Sequence, residues 1–309
     1  DCAHRRPPVV IGGAPLNAAQ PCVYAGGFNP CTQKQRTALL LSQDIIYVTF
    51  GGDGNRGGVF AFDAASLQQR AFWSSTPTGT NGGLWQSGQG PAADADGNVY
   101  LITGNGSFDA NTGGHNYGDS FVKLRLENGT LAVKDYFTPC NQQFLNSIDL
   151  DLGSGGPALI PDTDLLYGGG KQGVVYLLSR SNLGRFVTSP TAPDCTNPNV
   201  VQEFQATEPH KHGPDTVYGH IHGAPVLWKG PDQARLYVWG ENNRLKAYSF
   251  MQGKFVNVAQ PQQSTFQPPD GMPGGMLSVS SQGTQAGTGI VWTVVPLDGD
   301  ANKSRGIQG

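Results

Sequence analysis

Apolar residues in this chain fall in short runs separated by turn-formers, without the three-to-four spacing of an amphipathic helix. One order recurs: an apolar lead-in strand, a turn, a strand with an aromatic near its centre, a Gly-rich break and a further strand. The first copy is Thr37-Ala-Leu-Leu-Leu, Ile45-Ile-Tyr-Val-Thr-Phe-Gly-Gly and Gly58-Val-Phe-Ala-Phe-Asp. The second runs from Gly90-Pro-Ala-Ala through Asn98-Val-Tyr-Leu-Ile-Thr-Gly to Ser120-Phe-Val-Lys-Leu. The third joins Gly156-Pro-Ala-Leu-Ile, Leu165-Leu-Tyr-Gly-Gly-Gly and Gly173-Val-Val-Tyr-Leu-Leu. Gly223-Ala-Pro-Val-Leu-Trp, Arg235-Leu-Tyr-Val-Trp-Gly and Leu245-Lys-Ala-Tyr-Ser-Phe make the fourth, and Gly275-Met-Leu-Ser-Val-Ser with Gly289-Ile-Val-Trp-Thr-Val the fifth.

Aligned on Ala38, Ala92, Ala158, Pro225 and Met276, the copies step by 54, 66, 67 and 51 residues. Four strands and their loops fill about 40–50 residues in one propeller blade, so the excess falls in loops between blades. Asp94-Ala-Asp-Gly-Asn has hairpin-turn chemistry, and Lys123-Leu-Arg-Leu-Glu alternates like a strand with one wet face. A sandwich does not require five copies in one order, and a β-helix needs shorter periods. The pattern therefore predicts an all-β fold, a β-propeller of four-stranded antiparallel blades forming a single domain over 1–309. A loop-rich segment covers 1–34, and the repeats lie near 35–75, 85–137, 150–186, 218–256 and 272–300. The chain opens in a loop and stops without a closing strand, so truncation at both ends is expected, because a ring pairs its first and last blades.

Composition agrees with this pattern. Gly (44) and Pro (22) together make about one residue in five; a helical protein would lose ~1 kcal/mol per interior Gly and ~3 per Pro. The net charge of −3 and the lack of a basic run exclude a nucleic-acid partner. No stretch approaches the ~18 apolar residues of a transmembrane segment. Opening on Asp1, the chain reads as mature or excerpted. Cysteines stand at 2, 22, 31, 140 and 195, with no C-x-x-C spacing, which removes metal-finger and c-haem readings. Cys22 and Cys31 flank a Gly/Pro/Asn loop, and Cys140 and Cys195 each follow a proline-containing loop. Disulfides stapling such loops fit a secreted or periplasmic protein.

The first strand of each blade lines the channel, so the residues just before it face one mouth. That expectation gathers Trp85, Gln86, Ser87, Asp149, Asp151, Ser154, His220, His222 and Met276, joined by the turns carrying Asn105, Asp119 and Lys171. On an extended strand Asp149 and Asp151 would point the same way. They could hold Ca²⁺, supply a general base, or cap backbone amides between blades. His220-Ile-His222 and His210-Lys-His212 form two H-x-H pairs, a pattern that suits a transition metal; the alternative is hydrogen bonding across the channel. Neither a Gly-x-Ser-x-Gly elbow nor a metalloprotease helix motif is present.

Several segments resemble the PQQ-like propellers related to the quinoprotein alcohol dehydrogenases. They are Gly83-Leu-Trp-Gln-Ser-Gly-Gln-Gly-Pro-Ala, Tyr100-Leu-Ile-Thr-Gly-Asn-Gly-Ser-Phe-Asp, Tyr117-Gly-Asp-Ser-Phe-Val-Lys-Leu, Asp149-Leu-Asp-Leu-Gly-Ser-Gly-Gly-Pro, His220-Ile-His-Gly-Ala-Pro-Val and Met272-Pro-Gly-Gly-Met. The resemblance covers roughly 35–300 and implies a ring of seven or eight blades, with PQQ and Ca²⁺ as the implied cofactors. Two features depart from the dehydrogenases. No adjacent cysteines occur, and only Ala61 to Trp73 approaches their tryptophan-docking repeat. The expected role is a secreted scaffold binding a small molecule or an extracellular protein. The alternative is a quinone- or metal-dependent oxidoreductase acting on alcohols or sugars.

Overall fold

The computed structural model describes Asn29 and residues 32–52, 55–188, 194–212, 215–268, 271–296 and 307–308. Blade 1 is β1 (Leu40–Ser42), β2 (Ile45–Gly52), β3 (Asn55–Asp63) and β4 (Gln69–Ser74). Blade 2 is β5 (Ala92–Ala93), β6 (Asn98–Ile102), β7 (Phe121–Glu127) and β8 (Thr130–Phe137). Blade 3 is β9 (Ala158–Leu159), β10 (Leu165–Gly169), β11 (Val174–Ser179) and β12 (Gln202–Gln205). Each is a four-stranded antiparallel meander in chain order. A hairpin of β13 (His210–His212) and β14 (Asp215–Val217) precedes blade 4.

Blade 4 is β15 (Val226–Lys229), β16 (Ala234–Val238), β17 (Lys246–Met251) and β18 (Lys254–Val256). Its outer strand is interrupted: β18 covers one end of β17 and β19 (Gln262–Gln263) the other. Blade 5 shows β20 (Met276–Ser280), β21 (Ile290–Pro296) and β22 (Ile307–Gln308). The first strands start at or within two residues of the positions that aligned the repeats. Inner strands lie side by side, β1 against β5, β5 against β9 and β15 against β20, which is the arrangement of blades around an axis. This chain is an all-β protein built of propeller blades.

The repeated aromatic has a packing reason. Tyr47, Tyr100 and Tyr167, each on the second strand of its blade, are 3%, 1% and 2% exposed and sit in the cores between sheets. A buried tyrosine needs a partner for its hydroxyl. Tyr100 donates to Asp94 Oδ2 at 2.9 Å, and Tyr167 donates across blades to the Pro225 carbonyl at 3.2 Å.

Two differences from the sequence reading stand out. The outer strand of blade 3 lies at Gln202–Gln205, beyond the expected 150–186, because a long connection precedes it. His210 and His212, in the Pro-flanked stretch Glu208-Pro-His-Lys-His-Gly-Pro, lie in a strand-paired hairpin, though their side chains fall outside the described residues. The long connection is tied down by a disulfide between Cys140 and Cys195, 55 residues apart in sequence. Cys2, Cys22 and Cys31 lie outside the described residues. No helix among the described residues is long and apolar enough to cross a membrane.

Closing a loop of that length restricts the unfolded chain by about 4 kcal/mol on the chain-entropy account. Replacing both Cys140 and Cys195 by Ser should therefore lower Tm by roughly 5–10 °C in calorimetry. An unchanged Tm would show that the bridge leaves the stability of the fold untouched.

Candidate functional site

Before each of blades 2 to 5 the chain runs through a lead-in segment outside any ladder: 83–87, 149–154, 220–223 and 272–275. Their backbone groups must find partners elsewhere, and three of the segments find them on the preceding blade. Leu84 N–H donates to the Phe50 carbonyl at 3.3 Å, Leu152 N–H to Asp119 Oδ1 at 3.1 Å, and Ile221 N–H to the Gly170 carbonyl at 3.3 Å. The corner after the second strand returns the contact: Lys171 N–H donates to the Asp151 carbonyl at 3.0 Å, and Glu241 N–H to the His220 carbonyl at 2.9 Å. The lead-ins and corners thus lie together at one mouth.

A cavity of about 340 Å³ opens there. Of the residues singled out in the sequence, Trp85, Ser87, Asp149, Asp151, Ser154, Lys171 and His222 line it. Arg36 and Asn81, which the sequence reading missed, line it too, and Asn105 joins them as expected. The Trp85 indole packs against backbone: a side chain on Gly83 or Gly104 would come within 2.9 Å of the ring. The Arg36 guanidinium lies over the indole, 5.1 Å from the ring centroid.

Asp149 and Asp151 converge, though not through strand alternation. Asp149 is in the left-handed region (φ 61°), just after helix α1 (Gln142–Ser147), and Asp151 leads into a 3₁₀ turn. Lys171 Nζ stands 2.6 Å from Asp151 Oδ2 and 2.9 Å from Asp149 Oδ2. Burial works against that ammonium, but Asp151 and then Asp149 outweigh it and raise the lysine pKa above its ordinary value. Asp151 Oδ1 also accepts the Asn105 N–H at 2.8 Å, and Asn105 Nδ2 donates to Asp149 Oδ1 at 3.0 Å. Asn105 Oδ1 is buried in this wall and has no hydrogen-bond partner.

Asp119, Gln86 and Met276 are placed differently from the expectation. Asp119 is fully buried, accepting from Leu152 N–H and, at 3.5 Å, from Gln142 Nε2, so it latches blade 2 to the lead-in of blade 3. Burial, and secondly the charge of Asp151, push its carboxyl well above the ordinary range. Gln86 is buried with Oε1 accepting the Ile102 N–H at 3.1 Å. Met276 fills the gap beside the Gly223 backbone, where an added side chain would meet its sulfur at 2.9 Å. Ser154 lines the cavity, but its hydroxyl is committed to the Ile221 carbonyl at 2.6 Å.

His220 and His222 flank Ile221, whose side chain is completely buried, so both imidazoles turn to the opposite side. They meet Glu241, at the corner after β16. Glu241 Oε1 is 2.7 Å from His222 Nε2 and 3.6 Å from His220 Nδ1. Burial opposes the charge on Glu241, but His220 and then His222 outweigh it and hold the carboxyl at about 2. Glu241 escaped the sequence reading, yet a signal was there. Gly104-Asn105, Gly170-Lys171 and Gly240-Glu241 all fall in the corner within three residues of the end of the second strand.

No protein-family model matches the chain, and no curated protein matches its sequence. Among solved structures it is similar to a quinohemoprotein alcohol dehydrogenase from Pseudomonas putida HK5, at 14% identity and a TM-score of 0.46, covering 83% of this chain and 46% of that one. It is similar to BamB from Moraxella catarrhalis at 12% identity and a TM-score of 0.43, covering 94% and 69%. A europium-containing methanol dehydrogenase gives 16% identity and a TM-score of 0.45, covering 72% and 48%. This chain spans about half the length of the two dehydrogenases.

The residues present do not fit PQQ with Ca²⁺. Between Asp149 and Asp151, where a hard cation would bind, stands the ammonium of Lys171. The face of Trp85 that a planar quinone would stack on is covered by Arg36, and glycine backbone packs against the indole.

The latch at Asp119 has a pH signature. From the unfolded value of 3.8 up to its raised folded value, the folded state holds more protons than the unfolded one, so stability falls as pH rises. Asp119→Asn should remove that slope: urea midpoints of the wild type should decline relative to the variant as pH rises from 4 to 7. A constant difference would show that Asp119 does not titrate across the folding transition in this window.

Proposed function

We propose that this chain is a secreted ligand-binding propeller whose mouth takes a small, neutral, hydroxyl-rich molecule of the sugar or polyol class. The observation that carries this reading is the unpartnered Asn105 Oδ1 buried in the cavity wall, an acceptor awaiting a donor. The formal charges of Arg36, Lys171, Asp149 and Asp151 cancel, leaving little surplus to select an ion. Asn81, Ser87 and Asn105 offer the hydrogen-bonding groups that hydroxyls use. The cavity falls at the small end of the ~300–1,000 Å³ range of ligand pockets. The disulfide between Cys140 and Cys195 supports an oxidising compartment.

Calorimetry against a panel of neutral sugars and polyols, with PQQ plus Ca²⁺ as a separate arm, tests the reading. A neutral carbohydrate should bind, and Asn105→Ala should weaken it by about tenfold, the loss of one net hydrogen bond. Binding of PQQ with Ca²⁺ instead would favour the oxidoreductase. A silent panel, with an extracellular protein captured at the mouth, would replace the small ligand by a protein partner.

A further inference from the structure

We propose that His220, His222 and Glu241 form a binding site for a first-row divalent transition metal, with Zn²⁺ as the reference ion. One ligand atom from each residue lies within 4.8 Å of the other two, with Glu241 Oε1 facing His222 Nε2 and His220 Nδ1. Ligands of a tetrahedral ion at bond lengths of 2.0–2.1 Å stand about 3.3 Å apart. The two separations from Glu241, 2.7 and 3.6 Å, bracket that value.

The second observation concerns what these atoms lack. All three are buried, and none makes a hydrogen bond. His222 is 5% and Glu241 6% exposed, so water does not supply the missing partners at large. Their closest approach, 2.7 Å between His222 Nε2 and Glu241 Oε1, leaves both atoms without a hydrogen bond, as donor atoms gathered for a common ion would be. Two nitrogens and one oxygen suit ions of this class, unlike an all-oxygen Ca²⁺ site.

The backbone holds the three groups in place before any ion arrives. Ile221, between the histidines, is bonded on both sides, its N–H to Gly170 and its carbonyl to the Ser154 hydroxyl. Glu241 N–H is bonded to His220, and the Glu241 carbonyl accepts from Asn243 Nδ2 at 2.8 Å. Three protein ligands leave a coordination position for water or a ligand. His222 also lines the mouth cavity, so that position belongs to the same mouth.

The test is metal binding by the whole chain after chelation and dialysis, followed by titration with Zn²⁺ and with Co²⁺. One equivalent of Zn²⁺ should bind per chain, and Co²⁺ should give visible ligand-field bands. Glu241→Gln and His222→Gln should abolish stoichiometric binding, whereas His115→Gln, at an exposed histidine, should retain it. Should either site variant fail to fold, the Co²⁺ form of the wild type still decides: its proton NMR spectrum should show strongly shifted ring signals from two imidazoles. Fewer than about 0.1 equivalents in the wild type, full binding by folded Glu241→Gln, or a Co²⁺ spectrum without imidazole signals would overturn the proposal.

Discussion

The structure turns on a problem of backbone satisfaction. Blades 2 to 5 each begin with a segment that has no ladder of its own, yet it runs through the packed mouth, where an unpaired amide or carbonyl is costly. These groups are met by the blade before: by Phe50 for Leu84, by Asp119 for Leu152 and by Gly170 for Ile221. Blade order, blade spacing and the placement of the mouth residues all follow from this stitching. Polar residues gather at the lead-ins because the chain there must leave the sheet and bond sideways.

The mouth carries two charged clusters resolved in opposite ways. Around Lys171 the charges close upon themselves, with two carboxylates on one ammonium and a backbone amide on Asp151. Around Glu241 one carboxylate faces two imidazoles, and their facing atoms are left without hydrogen bonds. Protein atoms complete the first cluster. The second has the donor set of an ion site. Asp119, buried beside the first cluster, contributes to the joint between blade 2 and the lead-in of blade 3.

Much of the fold was legible in the chain because its repeat is a packing requirement. The second-strand tyrosine fills the space between sheets, and the turn before it fixes where each strand begins, so Ala92, Ala158 and Met276 fell where β5, β9 and β20 start. The outer strand of blade 3 was hidden by a long connection with no periodic signal. At the mouth, the lead-in residues were legible from propeller geometry, but their partners were not. Lys171 was foreseen near the aspartates without its role as their counter-ion. Glu241 and Arg36 come from outside the lead-ins: Glu241 reaches the histidines from the corner after β16, and Arg36 reaches the mouth by lying over the Trp85 indole. Asp149 and Asp151 meet at Lys171 without the strand alternation that the sequence suggested, since Asp149 takes a left-handed backbone conformation.

The corner after each second strand repays a closer look. At Gly240 a side chain would strike Thr207 Cγ2 at 2.5 Å and the Gly219 carbonyl at 2.8 Å, so the corner is held to glycine by its neighbours. The next residue carries the chemistry in three successive blades: Asn105 and Lys171 line the mouth cavity, and Glu241 faces His220 and His222. Scaffold and chemistry are thereby separated by a single peptide bond. A lineage carrying such corners can exchange an amide for an ammonium or a carboxylate in one blade without altering a strand. The mouth is in this sense a row of independent sockets whose wiring stays fixed while the fittings change.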